Sequence, residues 1–364
     1  MSKKKVVYLL GAGATQGELK LVDDSVQLLT SDIVSGIISK IDKKKTKVLK
    51  DLKNELNDKS DVEHLISLYE SIGTNKHLKV SRELRVLFRE EILERMKNFQ
   101  KRNTSFFPLL TCTTIDMHQI PQFEETLSGI ITVNYDSLTE LAIQKVKKGI
   151  NYSIKVKNKV PSFRLKKRNV FPFLKLHGSF DWKKDYPLQV TNPNDLVEED
   201  IYCLPPGVDK KKDLYPFNLL WGKAKEILQC DLLRVIGCSL NRNDWQLISL
   251  VFSMQKIQSA DRLRIEIIDF YDTGERIQKN YPYLKTKTVL DIPEFLDYLY
   301  DYTGVKRSEQ LPQTAIEYVS SKNPKTNIYE WWLRAKVHQI KNSPNITSIS
   351  TANNFFENFA GQIV

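Results

Sequence analysis

The sequence predicts an α/β fold in which a mostly parallel sheet carries its chemistry along one edge. Three observations point to it. Short apolar, β-rich runs recur at residues 6–10, 129–133, 171–182, 232–236 and 262–269. The segments between several of them follow helical periods. Each run also ends in Gly, Asn, His, Ser or Asp, the residue types that a crevice outside the carboxyl ends of parallel strands uses to hold a ligand.

A chain of 364 residues, 41% hydrophobic and 27% charged, can bury one large α/β core with a sizeable insertion, or two domains. No apolar run approaches the roughly 18 residues needed to span a bilayer, and the basic start MSKKK leads directly into the strand-like VVYLL. No membrane association is expected. Cys112, Cys203, Cys230 and Cys238 are scattered, with no C-x-x-C pair to hold zinc, so free thiols, a cytoplasmic location and no metal are expected. The net charge of +11 gathers in residues 40–53, 145–168 and 210–212. Solvated faces explain such clusters, and nucleic acid is the partner they would otherwise suit. Phe163 alone interrupts the basic run between Lys155 and Arg168, so the interleaved aromatics of a single-strand-binding surface are not seen.

Taken in order, residues 6–10 end in Gly11, Ala12, Gly13, Ala14 and Thr15, a turn that can bring backbone amides close to a phosphate. The dinucleotide fingerprint would place a third glycine where Gln16 stands, and Asp23 and Asp24 come too early for its ribose acid. The turn alone therefore fits a phosphate cradle and a plain strand end equally. Residues 26–110 switch to helical periods and form a candidate insertion. Ser60 and Glu63 are spaced as a capping box, Val62, Leu65, Ile66 and Tyr69 mark one apolar face, and Leu84, Leu87, Phe88, Ile92, Met96 and Phe99 mark another. These stripes, with His64, read as core packing.

The strand at 129–133 ends in Asn134, Tyr135 and Asp136, and Ser137 with Glu140 is spaced as a second capping box. Asn134 and Asp136 are ordinary helix-start residues, but two positions apart on extended chain they share a side and could reach one ribose. Residues 171–182, FPFLKLHGSFDW, carry a buried strand that delivers His177, Gly178 and Ser179, and a ring titrating near neutral pH there is a candidate general base. Segments 151–170 and 183–212 read as irregular insertions. A helix is expected over about 215–228, then a strand at 232–236 ending in Gly237, Cys238, Ser239 and Leu240, with Asn243 or Asp244 capping a helix from near Trp245. The Ser239 hydroxyl suits a phosphate or ribose oxygen, and Asp269, ending the last strand, suits a ribose diol. A closing helix is expected at 293–302. Residues 305–364 form a helical, aromatic tail containing Trp331, Trp332, Phe355 and Phe356.

Five strand ends in this order, GAGAT, VNYD, KLHGS, GCSL and EIID, together with DVEHL in the insertion and Pro-Pro and Trp221 before GCSL, resemble the sirtuin NAD-binding domain. In particular they resemble the sirtuin-like effectors of bacterial antiphage defence. The resemblance covers roughly residues 5–300 and implies a Rossmann-like sheet within one catalytic domain, 1–304, carrying the insertion 26–110. It implies that Gly11, Ala12, Gly13, Ala14 and Thr15 hold the NAD+ pyrophosphate. By the same resemblance Asn134 and Asp136 position the nicotinamide ribose and the attacking group, His177 is the catalytic histidine, Gly237 and Ser239 lie by the cofactor phosphate, and Asp269 takes the adenosine ribose. The four-cysteine zinc ribbon of sirtuin deacylases is missing here, as is their Gly-x-Pro-Asp-Phe-Arg continuation of the first loop. With these departures, the resemblance to the defence effectors implies NAD+ glycohydrolysis, with a linear or a cyclic product, and NAD+ depletion as the biological outcome. The family also implies control through a homo-oligomer or a partner of the HerA-type ATPase or Argonaute type, with the tail 305–364 as the contact. A nuclease or nucleic-acid-binding subunit and a non-catalytic NAD or ADP-ribose sensor are the alternatives.

Overall fold

The structure is a computed structural model and describes residues 3–44, 52, 56, 60–120, 123–146, 149–158, 172–197, 200–204, 213–257, 263–269, 271–288, 306 and 327–341. Six strands form one parallel sheet: β1 (Lys4–Leu10), β2 (Glu125–Thr132), β4 (Phe173–Lys175), β8 (Leu232–Ile236), β9 (Arg264–Ile268) and β10 (Thr286–Thr288). Their spatial order is β10-β9-β8-β1-β2-β4, and every neighbouring pair is parallel. Counted along the chain, this is the doubly wound order in which the second and third strands of the sheet, β2 and β4, lie to one side of β1 and the last three to the other. The fold class is α/β and Rossmann-like, as expected.

Burial explains which strands were legible. Residues Val6–Leu10 of β1 and all of β8 are buried, as a parallel sheet covered on both faces requires, so both read as continuous apolar runs. β2 begins at Glu125, four residues before its readable stretch, because its first half is partly exposed and only its second half is buried.

Around this sheet run α1 (Ala12–Lys20), α5 (Leu109–Met117), α6 (Leu138–Lys145), α7 (Phe217–Ile227), α8 (Trp245–Ile257), α9 (Tyr271–Asn280) and α10 (Ile328–Lys341). The buried Glu18 carboxylate joins α1 to α5, accepting from the Leu110 N–H at 2.8 Å, the Thr111 N–H at 2.9 Å and the Thr111 hydroxyl at 2.9 Å. These bonds serve amides at a helix N-terminus that Pro108 cannot cap. Burial nevertheless pushes the Glu18 pKa up to about 7, with the same hydrogen bonds opposing the rise.

The helical insertion holds its own core. Helices α2 (Thr30–Lys44), α3 (Val62–Ile72) and α4 (Asn75–Arg102) pack Ile33, Ile37, Val62, Ile66, Leu84 and Leu87 together, and Phe180 enters from the sheet side. Capping differs from expectation. Asp61, not Ser60, accepts from the His64 N–H at 3.0 Å, and Gly73 ends α3 in the left-handed conformation with φ +71°. At α6 the Ser137 side chain makes no cap bond, and the Asp136 carboxylate takes the Leu138 N–H at 2.9 Å. Glu140 is drawn into the interior instead, against Lys175.

Two further readings are corrected. Within and beside the segments read as irregular, β3 (Val156–Asn158), β5 (Gly178–Lys183), β6 (Leu188–Val190) and β7 (Ile201–Cys203) form a second sheet in the order β3-β6-β5-β7. β3, β6 and β7 have three residues each, too short to show an alternating pattern, so pairing alone defines them. The segment set apart as an assembly tail contributes α10, whose Trp331 and Trp332 are buried in the core of the large sheet. There the Asn327 side chain donates to the Gly17 carbonyl at 2.6 Å, and the Tyr329 hydroxyl lies 2.7 Å from the Thr114 hydroxyl. The expected helix at 293–302, with Phe355 and Phe356, lies outside the described residues.

Candidate functional site

The chain turns from one half of the sheet to the other between β1 and β8, and a crevice outside the carboxyl ends of such strands is where doubly wound folds bind ligands. Three glycines meet there. An added Cβ would lie 2.5 Å from the Gly237 carbonyl oxygen at Gly11, 2.9 Å from the Gly237 Cα at Gly13, and 2.1 Å from the Ala14 nitrogen at Gly237, whose φ is +55°. The Gly11 N–H donates to the Ile236 carbonyl at 3.0 Å and the Gly13 N–H to the Gly237 carbonyl at 2.8 Å. This adjusts the simple phosphate-cradle picture, because both glycine amides serve the joint between strand ends. The Ala14 N–H is likewise taken, by the Gly11 carbonyl at 2.9 Å, so Ala12, exposed at the first position of α1, is what the loop offers to an anion.

Gly237→Ala should therefore destabilise the fold by about 1–3 kcal/mol from the left-handed backbone alone, with the contact at Ala14 adding to it. Denaturant unfolding checks this, and an unchanged midpoint would mean that the two turns are not in backbone contact.

Asn134 is buried and lies two residues beyond the end of β2. Its Nδ2 donates to the Gly11 carbonyl at 2.9 Å and to the Thr15 hydroxyl at 3.0 Å, and that hydroxyl donates to Asp136 Oδ2 at 3.1 Å. A carbonyl partner fixes which end of the amide is nitrogen. With both amide hydrogens committed to the protein, Asn134 can meet a ligand only through Oδ1, as an acceptor. Gln16, at the position of the missing third glycine, is buried and ties down the chain after α1: its Nε2 donates to the Val26 carbonyl, and its Oε1 accepts from the Leu28 N–H at 2.5 Å.

His177 occupies the two-residue turn between β4 and β5 and is 3% exposed. Gly178 follows with φ +76°, where a Cβ would lie 2.2 Å from the Tyr202 carbonyl, so only glycine fits. The His177 carbonyl accepts from the Leu204 N–H at 2.8 Å, and the ring is tilted against Tyr135 with centroids 6.2 Å apart. His177 Nε2 stands 3.5 Å from Asp244 Oδ1. Asp244 closes a 3-10 turn, Arg242–Asp244, just beyond the β8 strand end. Sequence reasoning had it only as a possible helix cap, and no spacing signal marks a partner that arrives from a strand on the far side of β1.

Behind the Asn134 turn lies a fully buried ion pair. Lys175 Nζ is 2.9 Å from Glu140 Oε1, which also accepts from the Tyr152 hydroxyl at 3.2 Å. Burial pushes the Glu140 pKa up to about 7 against the pull of Lys175, with Asp181 adding to the rise. Burial also raises Asp181.

The structure thus links Gly11, Thr15, Asn134 and Asp136 by direct hydrogen bonds and pairs His177 with Asp244. Ser239, exposed in the turn after β8, and Asp269, half-buried at the end of β9, lie on the same sheet edge but do not join those bonds. Among the described residues no group of three or more His, Cys, Asp or Glu side chains could hold a metal ion, and no helix is long and apolar enough to cross a membrane.

Residues 128–287 match the family model described as a SIR2-like domain. Among curated proteins, none matches the chain. Similar solved structures include one described as the structural basis for the mechanism and regulation of Sir2 enzymes, at 14% identity and TM-score 0.37, covering 94% of each chain. Another is a mutant Sir2 homologue in complex with ADP ribose, at 13% identity and TM-score 0.39, covering 94% of this chain and 96% of that one. A third concerns sirtuin substrate affinity, at 14% identity and TM-score 0.34, covering 82% and 94%. The family match and the doubly wound strand order together support a sirtuin-like fold.

Proposed function

We propose that this sirtuin-like domain is an NAD+ glycohydrolase, releasing nicotinamide and ADP-ribose. The single observation that carries the reading is the convergence, at the β1/β8 switch point and the adjoining β2 and β4 ends, of a glycine joint, an acceptor-only asparagine and a buried histidine paired with a half-buried aspartate. Each part suits what the dinucleotide needs. The loop from Gly11 to Thr15 would take the pyrophosphate, with the Ala12 N–H at the N-terminus of α1 as its donor. Asn134 Oδ1 would accept from a ribose hydroxyl or from the attacking water, and Asp136, tied to the same network, would hold the nicotinamide ribose and favour the positive charge that develops there. Gly237 and Ser239 would lie by the cofactor phosphate, and Asp269 would take the adenosine ribose.

In the reaction the bond from ribose C1′ to the nicotinamide nitrogen breaks, and the electron pair leaves with nicotinamide, which becomes neutral. Water adds to C1′ and gives up a proton. With Nε2 facing the Asp244 carboxylate, the neutral His177 ring would carry its hydrogen there, and Nδ1 would be the nitrogen that accepts the proton. The Asp244 charge would then stabilise the imidazolium.

Hydrolysis is favoured over acyl transfer because the segment after His177, where deacylases of this family carry a four-cysteine ribbon, folds into β5, β6 and β7 with Cys203 as its sole thiol. Unchecked NAD+ hydrolysis would drain a cell, so we place the activity in antiphage defence, switched on by homo-oligomer assembly or by a HerA-type or Argonaute-type partner. Purified protein incubated with NAD+ should release nicotinamide and ADP-ribose in equal amounts. NAD+ that binds and stays intact, alone and with such a partner, would leave the sensor reading in its place.

A further inference from the structure

The two motifs of the site are stitched together by their backbones. The Leu176 N–H donates to the Thr132 carbonyl at 3.0 Å, the Phe180 N–H to the Tyr135 carbonyl at 3.2 Å, and the Ser179 hydroxyl to that same Tyr135 carbonyl at 2.9 Å. Lys175 Nζ donates to the Asp136 carbonyl. Two of the three carbonyls of the Asn-Tyr-Asp turn, those of Tyr135 and Asp136, are thus held by side chains that stand two residues before and two residues after His177. Lys175 and Ser179 are each 0% exposed.

A buried ammonium is costly unless it is paired, and an apolar side chain of similar length would fill the same space without that cost. Lys175 pairs with Glu140, and what its amino group adds over an apolar side chain is a donor aimed at the Asp136 carbonyl. Gly178 removes slack on the other side, since its backbone runs against the Tyr202 carbonyl. Tyr135, itself one of the two held residues, stacks on Phe180 at 4.9 Å and sends its hydroxyl to the carbonyl of Leu204 at 3.0 Å, the same residue whose N–H holds the His177 carbonyl.

We propose that Lys175 and Ser179 are positioning residues: by gripping the Asp136 and Tyr135 carbonyls from either side of His177, they fix its register against Asn134 and Asp136. This rests on the NAD+ reading above for what is being positioned. Neither residue touches the ligand. They act through the turn, so they should control how often bound NAD+ reacts and leave its binding nearly untouched.

The test uses the full chain with two variants. Ser179→Ala removes the side-chain part of one grip, with the Phe180 N–H remaining on the Tyr135 carbonyl, and Lys175→Met combined with Glu140→Gln removes the other without leaving Glu140 as an unpaired buried carboxylate. In both, kcat for nicotinamide release should fall about tenfold to a hundredfold, the scale of a mispositioned reacting group. KM should stay within about twofold of the wild type. Amide exchange should rise in a peptide covering residues 134–138 and remain as in the wild type across β1 and β8. Wild-type kcat in both variants overturns the proposal, and so does a loss of kcat accompanied by faster exchange throughout the sheet, which would mean general loosening. If the wild type itself releases no nicotinamide, the hydrolase reading fails by itself. Exchange at 134–138 still decides the grip, and unchanged protection there in both variants overturns it.

Discussion

His177→Ala should lower nicotinamide release about a hundredfold to ten-thousandfold, the range that a positioned general base contributes, while NAD+ binding persists. The ring is 3% exposed and pairs with Asp244, so it sits where water is scarce and a carboxylate can stabilise its charged form. Alanine leaves the backbone of the turn in place, because the His177 carbonyl bond to the Leu204 N–H and the left-handed Gly178 do not depend on the imidazole. Steady-state kinetics with calorimetric NAD+ binding on the same preparation would separate the two effects. Undiminished turnover in a folded variant would remove His177 from the chemistry and leave it as a packing residue.

Trp332→Ala should destabilise the protein by about 3–5 kcal/mol, as the loss of a buried tryptophan does. The side chain is 2% exposed, lies edge-on to Tyr8 with centroids 6.2 Å apart, and covers the Arg234 guanidinium at 5.2 Å. Arg234 is itself buried on β8, paired with Glu125 at 2.5 and 2.6 Å and with Glu266 at 2.8 Å, and donates to the Tyr8 hydroxyl at 3.2 Å. Removing the indole opens a void over a charged cluster whose attraction to the ring is also lost. For the same reason, truncation before residue 327 should unmake the core instead of yielding a smaller intact enzyme. A denaturant midpoint equal to the wild type's would show that α10 does not belong to the core and would restore the segment as a free assembly element.

The parts of the fold legible in the sequence were those whose signal is local. Both-face burial makes β1 and β8 continuous apolar runs, helical periodicity marks the insertion, and the strand-end residues cluster because a parallel sheet puts all its carboxyl ends on one edge. That was enough for the fold class and for nominating Gly11, Asn134, Asp136, His177 and Gly237. What only the tertiary structure decided were relations between segments far apart in the chain. Gly13 had to be glycine because Gly237 arrives against it. Asn134 became an acceptor when Gly11 and Thr15 took both its hydrogens. Glu140, spaced as a capping residue, was diverted by a lysine 35 positions away, and Trp332, in a segment that reads as a tail, was claimed by an arginine of the central sheet. Periodicity and capping report on neighbours within a few residues. Buried charge, close backbone contact and donor–acceptor pairing are settled by whichever group the folded chain brings within about 3 Å, the reach of a hydrogen bond, and a linear pattern carries no record of that.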